Sequence, residues 1–145
     1  MPLSLNIVTA QRSVLERDDV TKLVVPAAEG QITVLPKHAA LLSALGVGEM
    51  VVHHGNTFDS YVIHGGFIQV LDNQVSVLAD AAEHSDEIDL ARAEAARDRA
   101  QRRIAGQDPD VPRSGLDVFR AQLAIRRAMA RISVARRRTG QPSSR

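Results

Sequence analysis

The spacing of the apolar residues changes near residues 84 and 85, and this change constrains the fold more than any other feature of the sequence. Before it, apolar and polar residues alternate in short segments; after it, apolar residues recur every three or four positions. Alternation is typical of strands with one buried face, and the longer period is typical of helices. The sequence therefore predicts a β domain at 1–84, a helical domain at 85–138 and a flexible tail at 139–145.

Residues that favour turns separate the alternating segments of the first domain. The segments are Leu3–Val8, Thr21–Val25, Phe58–Ile63, Phe67–Leu71 and Val75–Ala79. The candidate turns are Asp18-Asp19, Glu29-Gly30, Gly46 with Gly48, Gly55-Asn56, Gly65-Gly66 and Asp72-Asn73. Strands that follow one another without intervening helices favour a sandwich or a barrel. Because aromatic residues make up only 3% of the chain, we expect a core of Val, Leu and Ile.

Two helices are predicted in the second domain. Ser85 is expected to cap the first, which runs to about Ile104, because acidic residues follow in its first turn. Ser114, with Asp117 three residues later, is expected to cap the second, which runs to about Arg138.

The apolar faces of these helices predict an antiparallel hairpin. On the first helix the apolar residues are mainly alanines: Ala91, Ala95, Ala96 and Ala100. On the second they are Val118, Ala121, Ile125, Ala128, Met129, Ile132 and Ala135. Alanine buries little apolar area, and each Å² of buried apolar surface contributes only about 25 cal/mol to stability. We therefore expect a hairpin that is weakly held and able to move.

Charge is distributed unevenly between the two domains. Residues 1–84 carry 4 basic and 9 acidic groups, a net charge of −5, whereas residues 85–145 carry 14 basic and 8 acidic groups, a net charge of +6. Arginines recur at helical spacing as Arg92, Arg99 and Arg103, and again as Arg120, Arg127, Arg131 and Arg138. Such rows are either solvated faces or sites for anions, since guanidinium groups bind phosphate and carboxylate well.

The sequence contains no pattern that predicts catalysis or a metal site. It has no cysteine, no histidine pair at helical spacing and no phosphate-binding loop with the usual glycines and lysine. No apolar segment approaches the roughly 20 residues that span a bilayer, and no secretion signal is evident. We therefore expect no catalytic residue, no metal ligand and no required cofactor, and a function in binding partners.

Four blocks of the sequence resemble the epsilon-subunit family of the F-type rotary ATP synthases. The blocks are Glu29–Leu42 with Gly46-Val47-Gly48, Tyr61–Val70 with Val75–Asp80, Ile88–Ala93, and Arg127–Ala135. The order and spacing of the blocks also match the family. The chain departs from the family's usual residues at Thr33, at Ala40 and at His64, which precedes Gly65 and Gly66.

This resemblance implies a flattened β sandwich of about ten strands, followed by the helical hairpin. It also implies a subunit of the central stalk that binds the gamma subunit and rests on the c-ring, at the cytoplasmic face of the inner (plasma) membrane. The candidate c-ring contact is the loop formed by His38, Ala39, Ala40, Leu41 and Leu42. Leu41 and Leu42 are equally compatible with the core of the β domain.

The resemblance further implies that the hairpin regulates ATP hydrolysis. In the family it lies folded against the sandwich or extends toward the catalytic beta and alpha subunits, where it restrains hydrolysis. Some members bind ATP as a regulatory ligand in the folded hairpin. The residues that match their pattern are Glu83, Ile88, Asp89, Arg92, Ala93, Arg99, Arg127 and Arg131.

Two alternatives from other functional classes remain. An arginine-rich nucleic-acid-binding module is compatible with the second helix, although the acidic first domain and the lack of interleaved aromatic residues count against it. An enzyme built on a β sandwich would need turnover of a nucleotide by the isolated chain. The family resemblance predicts no nucleic acid partner and ATP binding without turnover.

Overall fold

The computed structural model describes residues 1–106 and 118–138, and the chain divides into two compact units between Ser85 and Asp86. The first unit is built from β-strands, and the described part of the second consists of helices. The capping pair expected at Ser114 and Asp117, and the expected tail at 139–145, lie outside the described residues.

The first unit is a single antiparallel sheet, apart from one parallel pairing, that closes on itself. Its strands are β1 (Leu3–Val8), β2 (Ser13–Ala27), β3 (Gly30–Val34), β4 (Leu41–His54), β5 (Thr57–Leu71), β6 (Gln74–Ala79) and β7 (Ala82–His84). The order β1-β6-β5-β4-β2 closes because β1 pairs in parallel with β6 and antiparallel with β2. β3 pairs in antiparallel fashion with the last part of β2, and β7 pairs with the part of β5 that β6 does not cover.

The structure corrects the expected number of strands. The described residues of this sandwich-like or barrel-like unit form seven strands rather than about ten, because β2, β4 and β5 are each 14 or 15 residues long. Asp18-Asp19 lies inside β2, Gly46 and Gly48 lie inside β4, and Gly65-Gly66 lies inside β5. All three sites were expected to be turns, but a strand passes through each of them.

The predicted tight turns at Gly55-Asn56 and Asp72-Asn73 are confirmed. Each joins two antiparallel strands through a two-residue connection, β4 to β5 and β5 to β6. Gly55 has a φ of 59°, while Asp72 and Asn73 have φ values of 50° and 63°. Positive φ at these positions matches the twist of the flanking strands, which explains why Gly, Asn and Asp occur there.

The core of the first unit consists almost entirely of aliphatic side chains, as the composition predicted. Alternate residues of β1 (Leu3, Leu5 and Ile7) are buried, and the same alternation recurs along β6. The cluster also contains buried residues of β2 to β5 and β7, among which Tyr61 is the aromatic member. Burying these side chains favours folding by roughly 25 cal/mol per Å² of apolar surface.

The second unit contains the two expected helices, with a different start. A short 3-10 helix (Ser85–Glu87) precedes α1 (Leu90–Ile104), and α2 covers Val118–Arg138. The prediction that Ser85 caps the first helix was wrong, because the cap is Asp89, whose carboxylate accepts the Arg92 N–H at 3.1 Å. Asp86 and Glu87 belong to the 3-10 helix. The extended backbone of Asp89, with a φ of −89° and a ψ of 106°, separates that helix from α1.

The faces that α1 and α2 bury agree only partly with expectation. On α1, Ala93 and Ala100 are buried, whereas Ala91 and Ala95 are exposed. At 100° per residue, Ala91 and Ala95 lie on the opposite side of the helix from Ala93. The predicted face was therefore partly wrong, because it was chosen by residue type and not by position around the helix.

On α2, four of the seven residues of the expected face are buried, Ile125 is half-buried, and the other two are exposed. Ala121, Ala128, Ile132 and Ala135 are buried, as is Val134, which was not expected. Val118 and Met129 are about half exposed. In the described part of the chain, neither helix has the length and hydropathy needed to cross a bilayer.

Candidate functional site

A row of arginines follows one side of α1. Arg92, Arg99 and Arg103 are all exposed, and their spacing places them within about 40° of one another. The side of α1 that packs on α2 is marked by the buried Ala93 and Ala100. The row therefore lies about 100° around the helix from that contact.

A second row follows α2. Arg120 is exposed, and Arg127 and Arg131 are half-buried. They lie about 80° around α2 from its own buried side, which carries Ala128 and Ile132.

An ion pair fixes the relative direction of the two helices. Arg136 Nη2, near the end of α2, donates to Glu94 Oε1, near the start of α1, at 3.5 Å. The helices are therefore antiparallel, as expected. Residues rotated in the same sense from the contact between antiparallel helices fall on the same side of the pair, so the two arginine rows share one side of the hairpin, opposite the Arg136–Glu94 pair.

Within residues 1–106 and 118–138, three of these arginines have no partner for their guanidinium groups. Among the described residues, the side chains of Arg92, Arg99 and Arg127 form no hydrogen bond or ion pair. The helical segment around Arg127 has no acidic residue from Phe119 to Arg138. The shared side of the hairpin can therefore bind an anion without first breaking a contact at these three groups.

Other residues of the candidate ATP pattern have structural roles in the second unit. Asp89 caps α1, while Ile88 and Ala93 are buried with about 5% of their surface exposed. Arg131 is half-buried and already has an interaction within the protein. Of the eight candidates, Arg92, Arg99 and Arg127 are thus the ones best placed to contact a ligand directly.

Glu83 lies on β7 in the first unit, where a histidine contacts it. His64 on β5 and Glu83 are joined by a 2.8 Å contact between Nε2 and Oε1, and the His64 side chain is almost fully buried. His64 Nδ1 is buried and has no hydrogen-bond partner. The Nε2–H tautomer fits this arrangement, since that nitrogen then donates to the carboxylate while Nδ1 carries no hydrogen.

The loop expected to contact the c-ring is divided between the core and the surface. Leu41 and Leu42 are the first two residues of β4, so only residues 38–40 of the expected loop lie outside a strand. Leu41 packs against the core of the β unit, whereas Leu42 is 72% exposed. Ala39 and Ala40 are also exposed, and His38 is half-buried. The two leucines therefore take different roles, one anchoring the loop and the other presenting an apolar side chain outward.

A polar network that the sequence did not suggest connects four strands of the β unit. Asp59 on β5 contacts His54 Nε2 at 2.8 Å and His84 Nε2 at 3.5 Å. Arg17 Nη2 lies 3.2 Å from His54 Nδ1 and also pairs with Asp19. His54 and Asp59 contact each other across the β4–β5 turn, but Arg17 and His84 lie 37 and 25 positions from them, respectively. Strand pairing brings Arg17 and His84 into the network, and no local sequence signal identifies them.

Burial and hydrogen bonding act in opposite directions on the pKa of Asp59. Burial raises the pKa, but the hydrogen bonds from His54 and His84 outweigh it, so the pKa lies below its ordinary value. In the described part of the chain, no group of three or more potential ligands is placed to hold a metal ion.

Replacing Asp59 with asparagine should lower the free energy of unfolding at pH 7. A carboxyl group whose pKa is depressed by folding stabilises the protein above its ordinary pKa, and this contribution is lost as the pH falls through the folded value. The difference between the native chain and Asp59→Asn should therefore shrink below about pH 4. Urea unfolding of both chains at pH 7 and pH 3 measures this difference in the free energy of unfolding.

Asp19→Asn is the matched control for this experiment. The hydrogen bond from Arg17 also lowers the pKa of Asp19, but its side chain is 61% exposed. Salt screens exposed pairs more than partly buried ones, so 1 M salt should abolish the effect of Asp19→Asn and leave most of that of Asp59→Asn. Equal effects of both variants at every pH and salt concentration would contradict the assignment.

Comparison with known proteins gives matches over both units. A family model described as ATP synthase, Delta/Epsilon chain, beta-sandwich domain matches residues 2–85. A second, described as ATP synthase, Delta/Epsilon chain, long alpha-helix domain, matches residues 86–136. The ATP synthase epsilon chain of Herpetosiphon aurantiacus is 42% identical over 138 residues, covering 95% of this chain and 97% of that one. That of Dehalococcoides mccartyi is 43% identical over 140 residues, covering 97% and 96%.

Solved structures share the fold at lower identity. A chain in the Euglena gracilis mitochondrial ATP synthase (OSCP/F1/c-ring) has a TM-score of 0.75 and 24% identity, covering 88% of this chain and 77% of that one. A chain in the central stalk/c-ring of the Tetrahymena thermophila mitochondrial ATP synthase has a TM-score of 0.53 and 17% identity, covering 60% and 69%. At these identities the likeness extends to the fold alone.

Proposed function

The chain belongs to the epsilon-chain family of the ATP synthases, and we propose that it couples the gamma subunit to the c-ring and restrains ATP hydrolysis through its hairpin. The observation that carries this proposal is the pair of family matches, which together cover residues 2–136 and both units. As an epsilon chain it is a central-stalk subunit and not the catalytic subunit of the complex. It works at the cytoplasmic face of the membrane.

Exposed apolar residues of the β unit support contacts with the rotor. Leu42 faces outward from the loop that contacts the c-ring. Phe67 and Leu78 are cross-strand neighbours on β5 and β6 and are more than half exposed. Adjacent exposed apolar side chains favour a protein interface, and the gamma subunit covers this second surface.

The composition of the hairpin supports a change of partner. α1 packs on α2 mainly through alanines, so little apolar area holds the pair together. α2 is cationic and can move toward an acidic surface of the catalytic beta and alpha subunits. A ligand shifts this equilibrium only if it binds one state more tightly than the other.

ATP is the ligand that we assign to the arginine rows. The unpaired guanidinium groups of Arg92, Arg99 and Arg127 lie on one side of the hairpin, where they can bind phosphate oxygens. Asp89 and the buried Ile88 and Ala93 hold the first turn of α1 in place, and Arg131 lies in the second arginine row. ATP acts here as a regulatory ligand and is not hydrolysed by this chain.

Replacing Arg92 and Arg127 together with alanine should abolish detectable ATP binding. Each charged hydrogen bond contributes about 1.5–3 kcal/mol, so the loss of two should weaken affinity by roughly a hundredfold or more. Isothermal titration calorimetry of the full chain measures this. The matched control is Arg102→Ala with Arg126→Ala, which removes the same charge from exposed positions outside the rows. Unchanged affinity of the first variant would place ATP elsewhere.

The family match also accounts for the arginine-rich helix without a nucleic acid. α2 lies almost entirely within the segment that matches the helical domain of the family. The alternative of a nucleic-acid-binding module therefore has no independent support, and we expect no nucleic acid partner.

A further inference from the structure

The loop that precedes β4 begins with a strained turn. The His38 N–H donates to the Leu35 carbonyl oxygen at 3.1 Å, which closes a β-turn with Pro36 and Lys37 at its centre. Lys37 has a φ of 68°. A turn with proline first and a positive φ second is of type II, and its second central position is normally glycine or asparagine. Lysine at this position destabilises the turn unless another contact compensates.

Asn73 supplies that contact from a different part of the sheet. Its side-chain oxygen Oδ1 accepts the Lys37 N–H at 2.6 Å. Its backbone carbonyl accepts the N–H of Ser4 on β1 at 2.9 Å. Asn73 itself has a φ of 63° in the tight turn between β5 and β6, a conformation that asparagine adopts readily. The residue therefore ties the strained turn to two elements of the β unit.

The same residues surround an open depression beside the loop. Lys37, His38, Ala39 and Ala40 form one wall, and the β5–β6 turn with Leu71 forms the other. The depression has a volume of about 410 Å³, and the loop and this turn line it together. The 2.6 Å bond from the Lys37 N–H to Asn73 joins the start of the loop to the β5–β6 turn across this depression.

We propose that Asn73 is a positioning residue for the loop His38–Leu42, holding Lys37 in its strained turn so that Leu42 is presented to the c-ring. This assignment rests on the proposed function of the loop. It adds a residue from outside the loop, on a turn 36 positions away in the sequence. The apparent affinity for the ring is reduced in proportion to the fraction of molecules in which the turn is lost.

Three variants of the full chain separate positioning from simple loss of stability. Asn73→Gly keeps access to a positive φ and removes the side-chain acceptor, whereas Asn73→Asp keeps an acceptor oxygen. The third variant carries both Lys37→Gly and Asn73→Gly. Glycine at position 37 adopts a positive φ without strain, so the contact from Asn73 is no longer needed to hold the turn. Urea unfolding and the amide exchange of Ile63, which is buried in β5, report the global stability of each variant.

The first readout is hydrogen exchange at the backbone amide of position 37. In Asn73→Gly we expect roughly fivefold faster exchange at position 37, because one hydrogen bond is lost, and little change at Ile63. In Asn73→Asp we expect little change at either position. The second readout is binding of the chain, in complex with gamma, to detergent-solubilised c-ring. Binding should weaken in Asn73→Gly and recover when Lys37→Gly is added, although exchange at position 37 stays fast.

Leu42→Glu distinguishes failure of this inference from failure of the ring assignment. If Leu42→Glu weakens ring binding but Asn73→Gly does not, the loop contacts the ring and Asn73 does not position it. If Leu42→Glu has no effect, the ring contact lies elsewhere and the positioning role falls with it. Unchanged exchange at position 37 in Asn73→Gly, or an equal rise at Ile63, would also overturn the proposal.

Discussion

A chain that ends after Ser85 should bind the rotor as the full chain does, but should no longer suppress ATP hydrolysis. The β unit keeps its whole hydrophobic core without the hairpin, because that cluster is formed by residues of β1 to β7 and the segments between them. The segment that is removed carries a net charge of +6 and contains the arginine-rich α2. We propose that this part of the chain inhibits ATP hydrolysis. Hydrolysis by catalytic subunits assembled with gamma, measured with either chain, tests this.

Co-elution with gamma is the control, since an unbound chain cannot regulate. If both chains bind and the rates differ, the β unit is the coupler and the hairpin is the inhibitor. If both bind and the rates are equal, the hairpin does not inhibit. If neither binds gamma, the proposed place of the chain in the central stalk is wrong.

Replacing Gly66 with alanine should have the largest effect on stability of any single substitution that the structure identifies. A Cβ at this position would lie 2.1 Å from the Leu78 carbonyl oxygen and 2.8 Å from the Ala79 Cα. Both are backbone atoms of β6, which cannot move without breaking its pairing with β5. Gly66 also has a φ of 118°, which L-residues rarely adopt. We expect a loss of more than about 4 kcal/mol, a large part of the stability of a domain.

Gly55→Ala is the control that separates steric overlap from backbone strain. Gly55 has a φ of 59°, but a Cβ there would meet no atom within 4 Å. Its cost should be about 1–2 kcal/mol, the strain of a left-handed residue alone. Chemical denaturation and recovery in the soluble fraction measure both variants. Similar losses for the two would show that close contact with β6 is not the cause.

The local pattern of the sequence predicted the elements better than their lengths. Alternation identified β1 and β6 correctly, because each buries every second residue over its full length, with half-buried or exposed residues between them. It divided β5 at Gly65-Gly66, because glycine in a sequence signals a turn, whereas here β6 packs against the glycines and the strand continues. That distinction depends on a neighbouring strand and is absent from any local window.

The same limit applies to the candidate site. The spacing of Arg92, Arg99 and Arg127 was sufficient to predict two rows, because helical periodicity is local. The contact of Glu83 with His64 joins residues 19 positions apart, and that of Lys37 with Asn73 joins residues 36 apart. Such contacts depend on strand pairing and register, which alternation alone does not specify.

Closure of the sheet has a mechanical consequence for the place that we propose for this chain, between the c-ring and the gamma subunit. β4 and β5 pair along almost their entire lengths, and β1 is paired on both sides. A twisting load applied across the unit therefore pulls along rows of hydrogen bonds that must yield together, rather than opening one bond at a time from a free edge. We therefore expect the β unit to resist torsion and the alanine-lined hairpin to be the more compliant part.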